Sequence, residues 1–328
     1  MASDFSDLCS RSTCSHSAAQ NAVMKRVFGF LLGVGLALLP VMAGAAGGRI
    51  VVASKIDTEG ALLGNMIVAL LEAHGLAVEN KLQLGPTNIV RAAMLAGQID
   101  IYPEYTGNGA LFFHLEQDPV WKDRAKGAAK VAALDREQNH LAWLAAAPAN
   151  NTWTIALRQD LAERRNLKTM DDFAKYLASG GVIKLAASAE FVESPAALPA
   201  FEVTYGFRLK DAQLLTLSGG NTSATLRAAA EGTSGVNAAM AYGTDGALAA
   251  LGLTALEDDK GAQVVYAPAP VVREAVLQQH PEIAKLLDPV FATLTLETLQ
   301  QLNAKIAVEG EDAAAVAAAY LKSKHFLP

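Results

Sequence analysis

Aromatic side chains stand at the ends of several predicted strands, which is where α/β proteins bind their ligands. Tyr102 and Tyr105 belong to IDIYPEYTGNGALFF, residues 99–113, and Trp153 and Tyr242 occupy comparable places further along the chain. Electron-rich rings from several loops can surround a cation that has no N–H group to donate, such as a trimethylammonium group. Each ring could instead cover the end of a sheet, but four rings at equivalent strand ends favour a shared site.

Catalytic patterns are missing from the sequence. It contains no G-x-S-x-G, no G-x-x-x-x-G-K-[ST] and no G-x-G-x-x-G that opens a helix after a strand. The histidines beyond the N-terminal region form no H-x-x-H or H-E-x-x-H pair: His74, His114, His140, His280 and His325. A periplasmic hydrolase or transferase would need a nucleophile with a base in reach, and no motif supplies one. We therefore expect a protein that is not an enzyme and that holds no metal or cofactor.

The elements that would position the rings alternate along the chain. Apolar runs and helical spacing predict three strands and two helices in the first part: strands over 49–54, 81–85 and 99–105, and helices over 59–75 and 87–98. Thr87 or Asn88 is expected to cap the second helix. The βαβαβ order predicts a parallel, doubly wound sheet whose carboxyl edge carries Tyr105.

A second alternation of strands and helices follows. Strands are predicted over 182–188, 213–218 and 236–243 and helices over 169–179, 194–206 and 222–232, with one last strand within 255–272 and mostly helix from Arg273. The length of 328 residues exceeds that of most single domains. No linker separates the halves, so we expect a discontinuous arrangement: lobe 1 from 46–150 plus 247–328, and lobe 2 from 151–246.

The N-terminal region has the features of an export signal. Basic Lys25 and Arg26 precede an apolar run over 27–42, and Ala43-Gly44-Ala45 fits a cleavage site. We expect cleavage after Ala45, which would free a periplasmic protein; an uncleaved anchor is the alternative, although the run is shorter than the roughly 20 residues of a comfortable span. Met24 is an alternative start, which would leave residues 1–23 outside the protein.

Charge and cysteine content exclude several kinds of site. The cysteines are Cys9 and Cys14, both before the predicted cleavage site, so the exported chain would have no disulfide and no cysteine nucleophile. The net charge of −6 argues against nucleic acid as a partner.

Five segments are distinctive in their order and spacing: IDIYPEYTG (99–107), PANNTWTIALRQDLA (148–162), AYGTDG (241–246), LEDDKG (256–261) and APVVREAVLQQHPE (269–282). Together they resemble the substrate-binding proteins of ABC transporters for glycine betaine, choline and related osmoprotectants, in the osmotically induced Gram-negative branch. The resemblance extends over about 49–327. It implies a two-lobed periplasmic-binding-protein (type II-like) architecture, in which two doubly wound lobes close on a hinge. It also implies a monomer that delivers a small zwitterionic or cationic solute to ABC permease subunits.

The resemblance further implies roles for seven residues. The rings of Tyr105, Trp153 and Tyr242 would form the cage, and Lys55 would meet the carboxylate of the ligand. Polar contacts would come from a second group of residues: Asn108, Asn151 and Thr244. Asp245 is expected to cap a helix over 246–252 and not to touch the ligand.

Two departures from the family pattern affect the expected affinity. Ser194 stands where many relatives have an arginine, and Leu226 stands where many have a tyrosine, with an insertion around Thr233-Ser234. The missing arginine would remove a two-pronged contact to a carboxylate. We therefore expect weak binding of glycine betaine, with choline, an amino acid or another compatible solute as alternative ligands. A sensor or chaperone-like protein that has lost its ligand is a further alternative.

Overall fold

Two five-stranded sheets form the framework of the computed structural model, which describes residues 48–217 and 222–327. The predicted leader, signal peptide and cleavage after Ala45, together with Cys9 and Cys14, lie outside the described residues. Within the described ranges, no helix is both long and apolar enough to cross a membrane.

The strands in chain order are β1 (Ile50–Lys55), β2 (Val78–Gly85), β3 (Ile101–Tyr105), β4 (Leu141–Trp143), β5 (Trp153–Arg158), β6 (Leu185–Ser188), β7 (Leu214–Leu217), β8 (Ala238–Tyr242), β9 (Leu253–Ala255) and β10 (Pro268–Arg273). The helices are α1 (Thr58–Ala73), α2 (Thr87–Leu95), α3 (Asn108–Phe112), α4 (Arg124–Asn139), α5 (Gln159–Arg165), α6 (Met170–Ala178), α7 (Ala189–Glu193), α8 (Leu198–Tyr205), α9 (Thr222–Glu231), α10 (Ala247–Ala250), α11 (Glu274–Gln279), α12 (Glu282–Phe291), α13 (Leu296–Ala307) and α14 (Ala313–Ser323). Short 3₁₀ helices cover Pro119–Lys122, Asp211–Gln213 and Thr233–Gly235.

Both sheets follow the same plan. The first has the order β2-β1-β3-β10-β4, in which β1 is parallel to β2 and β3 while β10 is antiparallel to β3 and β4. The second has the order β7-β6-β8-β5-β9, in which β6 is parallel to β7 and β8 while β5 is antiparallel to β8 and β9. The predicted βαβαβ unit is confirmed, and the two sheets give the two-lobed α/β architecture expected of a periplasmic binding protein.

The chain returns to the first sheet later than the sequence suggested. β9 lies beyond the predicted boundary at 246, yet it pairs with β5 of the second sheet. In the part of the chain that the structure describes, β10 is the next strand after β9, and it pairs with β3 of the first sheet. A strand of three residues gives too little alternation to be recognised from sequence, which explains the early boundary. The assignment of the other residue ranges to the two lobes stays a prediction.

Helix α1 shows how apolar spacing fixes the first lobe. Its residues at helical spacing are buried against the first sheet and against α12, α13 and α14, with Leu62, Met66 and Leu71 fully enclosed. Asp57 caps the helix by accepting a hydrogen bond from the Gly60 N–H at 2.7 Å. The packing therefore fixes the first turn of α1 directly after the end of β1.

The predicted cap of α2 is wrong. Pro86 occupies the cap position, and among the described residues no side-chain cap hydrogen bond forms there. Proline already has the backbone angle that a helix start requires, so the helix begins at Thr87 without a polar cap. Thr87 is consequently inside the helix, and its side chain lines the cleft described below.

A buried ion pair fastens α2 to α4. The Arg91 guanidinium donates to both carboxylate oxygens of Asp135, at 3.0 and 2.5 Å. Asn139 and Trp143 donate to the same carboxylate, at 2.8 and 2.6 Å. The side chains of Arg91 and Asp135 are both buried, so each charge relies on the other to offset its loss of hydration.

Removal of the Arg91 charge should destabilise the fold strongly. Arg91→Leu leaves the Asp135 carboxylate buried without its cation, and we expect the free energy of unfolding to fall by about 3–5 kcal/mol. The control is Arg164→Leu, which breaks the exposed Arg164–Asp160 pair and should cost about 0–1 kcal/mol. Urea unfolding followed by fluorescence and circular dichroism measures both. Similar losses in the two variants would show that burial does not govern the Arg91–Asp135 pair.

Candidate functional site

A cleft of about 770 Å³ lies where the ends of the two sheets meet. The seven residues expected to bind a ligand all line it: Lys55, Tyr105, Asn108, Asn151, Trp153, Tyr242 and Thr244. The structure thus brings the predicted set together, while their part in binding stays a prediction.

Strand direction explains why these residues converge. β1 ends at Lys55 and β3 ends at Tyr105, so both side chains lie at the carboxyl edge of the first sheet. In the second sheet β8 ends at Tyr242, and the antiparallel β5 begins at Trp153 directly opposite it. The same edge of each sheet therefore faces the cleft, as expected for ligand sites in open α/β sheets.

Tyr102 does not share this position. It is fully buried in the core beneath α2, where it packs with Val90 and Met94. Three of the four rings singled out from the sequence reach the cleft, and for Tyr102 the simpler interpretation as a packing residue is correct.

Two rings of the cleft wall stack on each other. The centroids of Trp153 and Tyr242 lie 6.3 Å apart with an interplanar angle of 22°. Trp153 and the buried Phe191 meet edge to face, with centroids 5.8 Å apart and an interplanar angle of 89°, which holds the indole in place from the core side. Tyr266 adds a ring that the sequence did not reveal, because it precedes a strand instead of following one.

Glu59 is a buried carboxylate that lines the cleft, and it is not among the residues singled out from the sequence. Its Oε1 accepts hydrogen bonds from the Tyr105 hydroxyl at 2.8 Å and from Asn151 Nδ2 at 3.2 Å. Its Oε2 accepts one from Asn303 Nδ2 at 2.8 Å. Burial raises the pKa of Glu59. Its place in the first turn of α1 does not by itself distinguish it from other acids at helix starts.

Lys55 is already paired within the protein. Its ammonium bonds to Glu104 and lies 4.5 Å from the centroid of the Tyr105 ring. The same Glu104 oxygen accepts from the Tyr105 N–H and from Asn108 Nδ2, both at 2.7 Å. Lys55 and Asn108, which were expected to meet a ligand, are therefore organised around a carboxylate that the sequence had not singled out.

Two segments cross between the sheets, the first over 150–152 and the second over 264–266, and Asn151 and Tyr266 of these crossing segments line the cleft. Asn151 N–H donates to the Tyr266 carbonyl at 2.9 Å, and Tyr266 N–H donates to Asn150 Oδ1 at 2.8 Å. Thr152 Oγ1 donates to the Val264 carbonyl at 2.8 Å. The two passages of the chain between the sheets are thus tied side by side.

The predicted role of Asp245 is wrong. Its carboxylate accepts a hydrogen bond from the Tyr242 N–H at 2.8 Å, whereas α10 begins at Ala247 and has no side-chain cap. The reason is close packing at Gly246, where an added Cβ would lie 2.1 Å from the backbone nitrogen of Ala304. That contact sets the course of the loop, and Asp245 turns back to stabilise the end of β8.

The two departures from the family pattern occupy different places. Leu226 of α9 is buried and lines the cleft, so a larger ring there would face the same space. Ser194 ends α7, is half-buried and is not among the lining residues. The Thr233-Ser234 insertion forms a short turn after α9.

The cleft is acidic. Among the described residues, Lys55 is the one lysine that lines it, and it is paired with Glu104. The lining carboxyl groups outnumber it: Asp57, Glu59, Glu190 and Asp245. Burial raises the pKa of Asp245, while Asp57 and Glu190 are exposed. The charge distribution favours a ligand that carries positive charge.

Comparisons with known proteins agree with this geometry. Residues 48–323 match the family described as the substrate binding domain of ABC-type glycine betaine transport system. The glycine betaine-binding protein YehZ of Escherichia coli is 58% identical over 302 residues, which cover 92% of this chain and 98% of that protein. A glycine-betaine-binding protein of Pseudomonas aeruginosa is 32% identical over 282 residues, which cover 84% of this chain and 88% of that protein.

Solved structures show the same fold. The structure of apo YehZ from E. coli has 60% sequence identity and a TM-score of 0.80, and the match covers 85% of this chain and 99% of that one. A structure titled glycine betaine/carnitine/choline ABC transporter has 22% identity and a TM-score of 0.74, with coverage of 85% and 99%.

Asp245 should make the stability of the fold depend on pH. Because burial raises its pKa above the ordinary 3.8, the folded protein keeps a proton at pH values where the unfolded chain has lost it. The stability linked to this group is complete below pH 3.8 and declines as pH rises through the raised pKa. Asp245→Asn removes the titration and keeps an acceptor for the Tyr242 N–H.

We therefore expect the melting temperature of Asp245→Asn, relative to that of the parent, to increase between about pH 4 and about pH 7. Calorimetry at constant ionic strength measures both proteins. A difference that is constant or shrinks over this range would show that the Asp245 carboxyl is not disfavoured by burial.

Proposed function

The chain belongs to the family of substrate-binding domains of ABC-type glycine betaine transport systems, and from this we propose that it binds glycine betaine or a related quaternary-ammonium solute for an ABC importer. The family is one of transport proteins and not of enzymes. The bound solute would be passed to the permease subunits in the membrane. The protein would act as a monomer in the periplasm after cleavage of its signal peptide near Ala45.

The convergence of three rings on one cleft is the observation that carries this proposal. Tyr105 comes from the first sheet, and the stacked Trp153 and Tyr242 come from the second. A trimethylammonium group cannot donate hydrogen bonds from nitrogen, so its lost hydration is best offset by the negative faces of aromatic rings. A binding site divided between the two sheets would enclose the cation only when both sides approach.

Closure about the crossing segments would complete the site. The hydrogen bonds that join Asn151 to Tyr266 and Thr152 to Val264 hold the two passages together. Small backbone rotations there would swing one sheet edge toward the other, which is the hinge type of domain closure. The ligand would then be held between rings that come from both lobes.

We also propose that glycine betaine binds weakly. Leu226 supplies no ring at a lining position, and Ser194 offers no guanidinium. Lys55, which lines the cleft, already forms an ion pair with Glu104. The carboxylate of glycine betaine would therefore have fewer charged partners in this protein than in a site that binds it with high affinity.

Choline is a second candidate ligand, because the cleft is acidic. It has the same trimethylammonium head as glycine betaine but a hydroxymethyl group in place of the carboxylate. The exposed carboxylates of Asp57 and Glu190 and the paired state of Lys55 favour a ligand with net positive charge.

Loss of a cage ring should weaken binding. Tyr242→Ala should raise the dissociation constant for glycine betaine by the equivalent of about 0.5–2 kcal/mol, since a ring face is lost. Tyr242→Phe keeps the face and should bind almost as well as the parent. Tyr176→Ala, in α6 away from the cleft, is the control for loss of a tyrosine. Calorimetric titration measures all four proteins. If Tyr242→Ala binds as the parent does, the cage does not include this ring.

Restoration of the missing groups should strengthen binding. The double variant Leu226→Tyr with Ser194→Arg adds a ring and a guanidinium, and one charged hydrogen bond contributes about 1.5–3 kcal/mol. Each 1.4 kcal/mol is about tenfold in dissociation constant, so we expect a gain of about tenfold to a hundredfold for glycine betaine. Leu226→Tyr alone should give part of it. Ser179→Arg, at an exposed position, controls for the added charge. A folded double variant with unchanged affinity would contradict the explanation of weak binding.

A further inference from the structure

The hydroxyl of Tyr105 donates a hydrogen bond to the carboxylate of Glu59. It donates to Glu59 Oε1 at 2.8 Å, and the two side chains lie side by side with 7% and 4% of their surface exposed. Tyr242, another ring of the cleft, has no such bond to a carboxylate among residues 48–217 and 222–327. The two tyrosines therefore differ in their electronic surroundings although both line the same space.

Hydrogen-bond donors surround Glu59. Asn151 Nδ2 and Asn303 Nδ2 approach its oxygens at 3.2 and 2.8 Å, in addition to the Tyr105 hydroxyl. The three donors suit the ionised carboxylate, which only accepts hydrogen bonds, and they counter the rise in pKa that burial causes. They therefore offset part of the cost of holding a negative charge next to the phenol.

The position of the Glu59 carboxylate is fixed from several elements. Asn151 belongs to the first crossing segment, and Asn303 belongs to α13. Asn303 Nδ2 also donates to the Thr244 carbonyl at 3.0 Å, which connects the carboxylate to the loop after β8. Any movement of Glu59 would break bonds to each of these segments, so it can hold the Tyr105 ring in one orientation.

We propose that Glu59 is the residue that positions and polarises the Tyr105 ring, making its face more attractive to a trimethylammonium group; this inference rests on the proposed function. A phenol that donates to a carboxylate gains partial phenolate character, because the charge-assisted bond draws the proton toward the acceptor. The electron density returned to the ring strengthens the attraction between its face and a cation. Lys55 shows that this ring accepts a cation, since its ammonium lies 4.5 Å from the centroid.

The test compares glycine betaine with an isostere that lacks the positively charged nitrogen. Glycine betaine and 3,3-dimethylbutanoate have the same shape and carboxylate, but carbon replaces the quaternary nitrogen in the second. Calorimetric titration gives the ratio of their dissociation constants for the parent, Glu59→Gln, Tyr105→Phe and the double variant. We expect Glu59→Gln to reduce the preference for the cation by about threefold to tenfold. In the Tyr105→Phe background the same substitution should change the ratio little, because the phenol that transmits the effect is gone.

Each alternative gives a different result. If Glu59→Gln weakens both ligands equally, Glu59 only supports the structure, and the proposal is overturned. If it changes the ratio equally in both backgrounds, its charge acts directly on the ligand and not through Tyr105, which also overturns the proposal. If the parent binds no quaternary-ammonium ligand, the proposed function fails and takes this inference with it.

A second comparison covers the case in which Glu59→Gln does not fold. Tyr105→Phe removes the hydrogen bond to the carboxylate and should lower the preference for the quaternary nitrogen more than Tyr242→Phe does, because within the described residues the Tyr242 hydroxyl bonds to no carboxylate. Equal ratios in the two phenylalanine variants would contradict the proposal without any change at Glu59.

Discussion

The hydrogen bonds between the two crossing segments are the constraint on which the site depends. Asn150, Asn151 and Thr152 on one passage bond to Val264 and Tyr266 on the other. Because the passages run side by side, the carboxyl edge of the first sheet and the matching edge of the second sheet open onto the same space. Tyr105 and Tyr242 are more than 130 positions apart in the sequence, and this arrangement is what allows both to line one cleft.

Two buried carboxylates organise the groups around that space. Glu104 accepts hydrogen bonds from Lys55, Asn108 and the backbone N–H of Tyr105. Glu59 accepts hydrogen bonds from the Tyr105 hydroxyl and from the side chains of two asparagines. A buried charge is costly unless donors surround it, so each carboxylate fixes the groups that satisfy it. Tyr105 is held by both, at its backbone and at its hydroxyl, so its ring is constrained at two points.

Much of the cleft could be predicted from the sequence because strand ends are visible there. Alternation of strands and helices placed β1 and β3 correctly, and the residues that follow such strands meet at one edge for geometric reasons. The position of Tyr105 and that of Tyr242 follow from this rule. Tyr102 belongs to the same strand as Tyr105, but the sequence could not show that it packs beneath α2 instead.

Other features depend on contacts between distant segments and could not be predicted. Asp245 resembles a helix cap in sequence, but the approach of α13 to Gly246 sets a different path for the loop. β9 is too short to show a period. Glu59 is an ordinary first-turn acid until the fold brings Asn151 and Asn303 to it. In each case the decisive partner lies far away in the chain.

A crystal structure with bound glycine betaine would show whether aromatic rings from both sheets enclose its quaternary ammonium group. We expect the nitrogen within about 6 Å of the ring centroids of Tyr105, Trp153 and Tyr242, with the two sheet edges closer together than in the unliganded protein. A ligand whose carboxylate faces these rings, or one bound outside the cleft, would contradict this expectation.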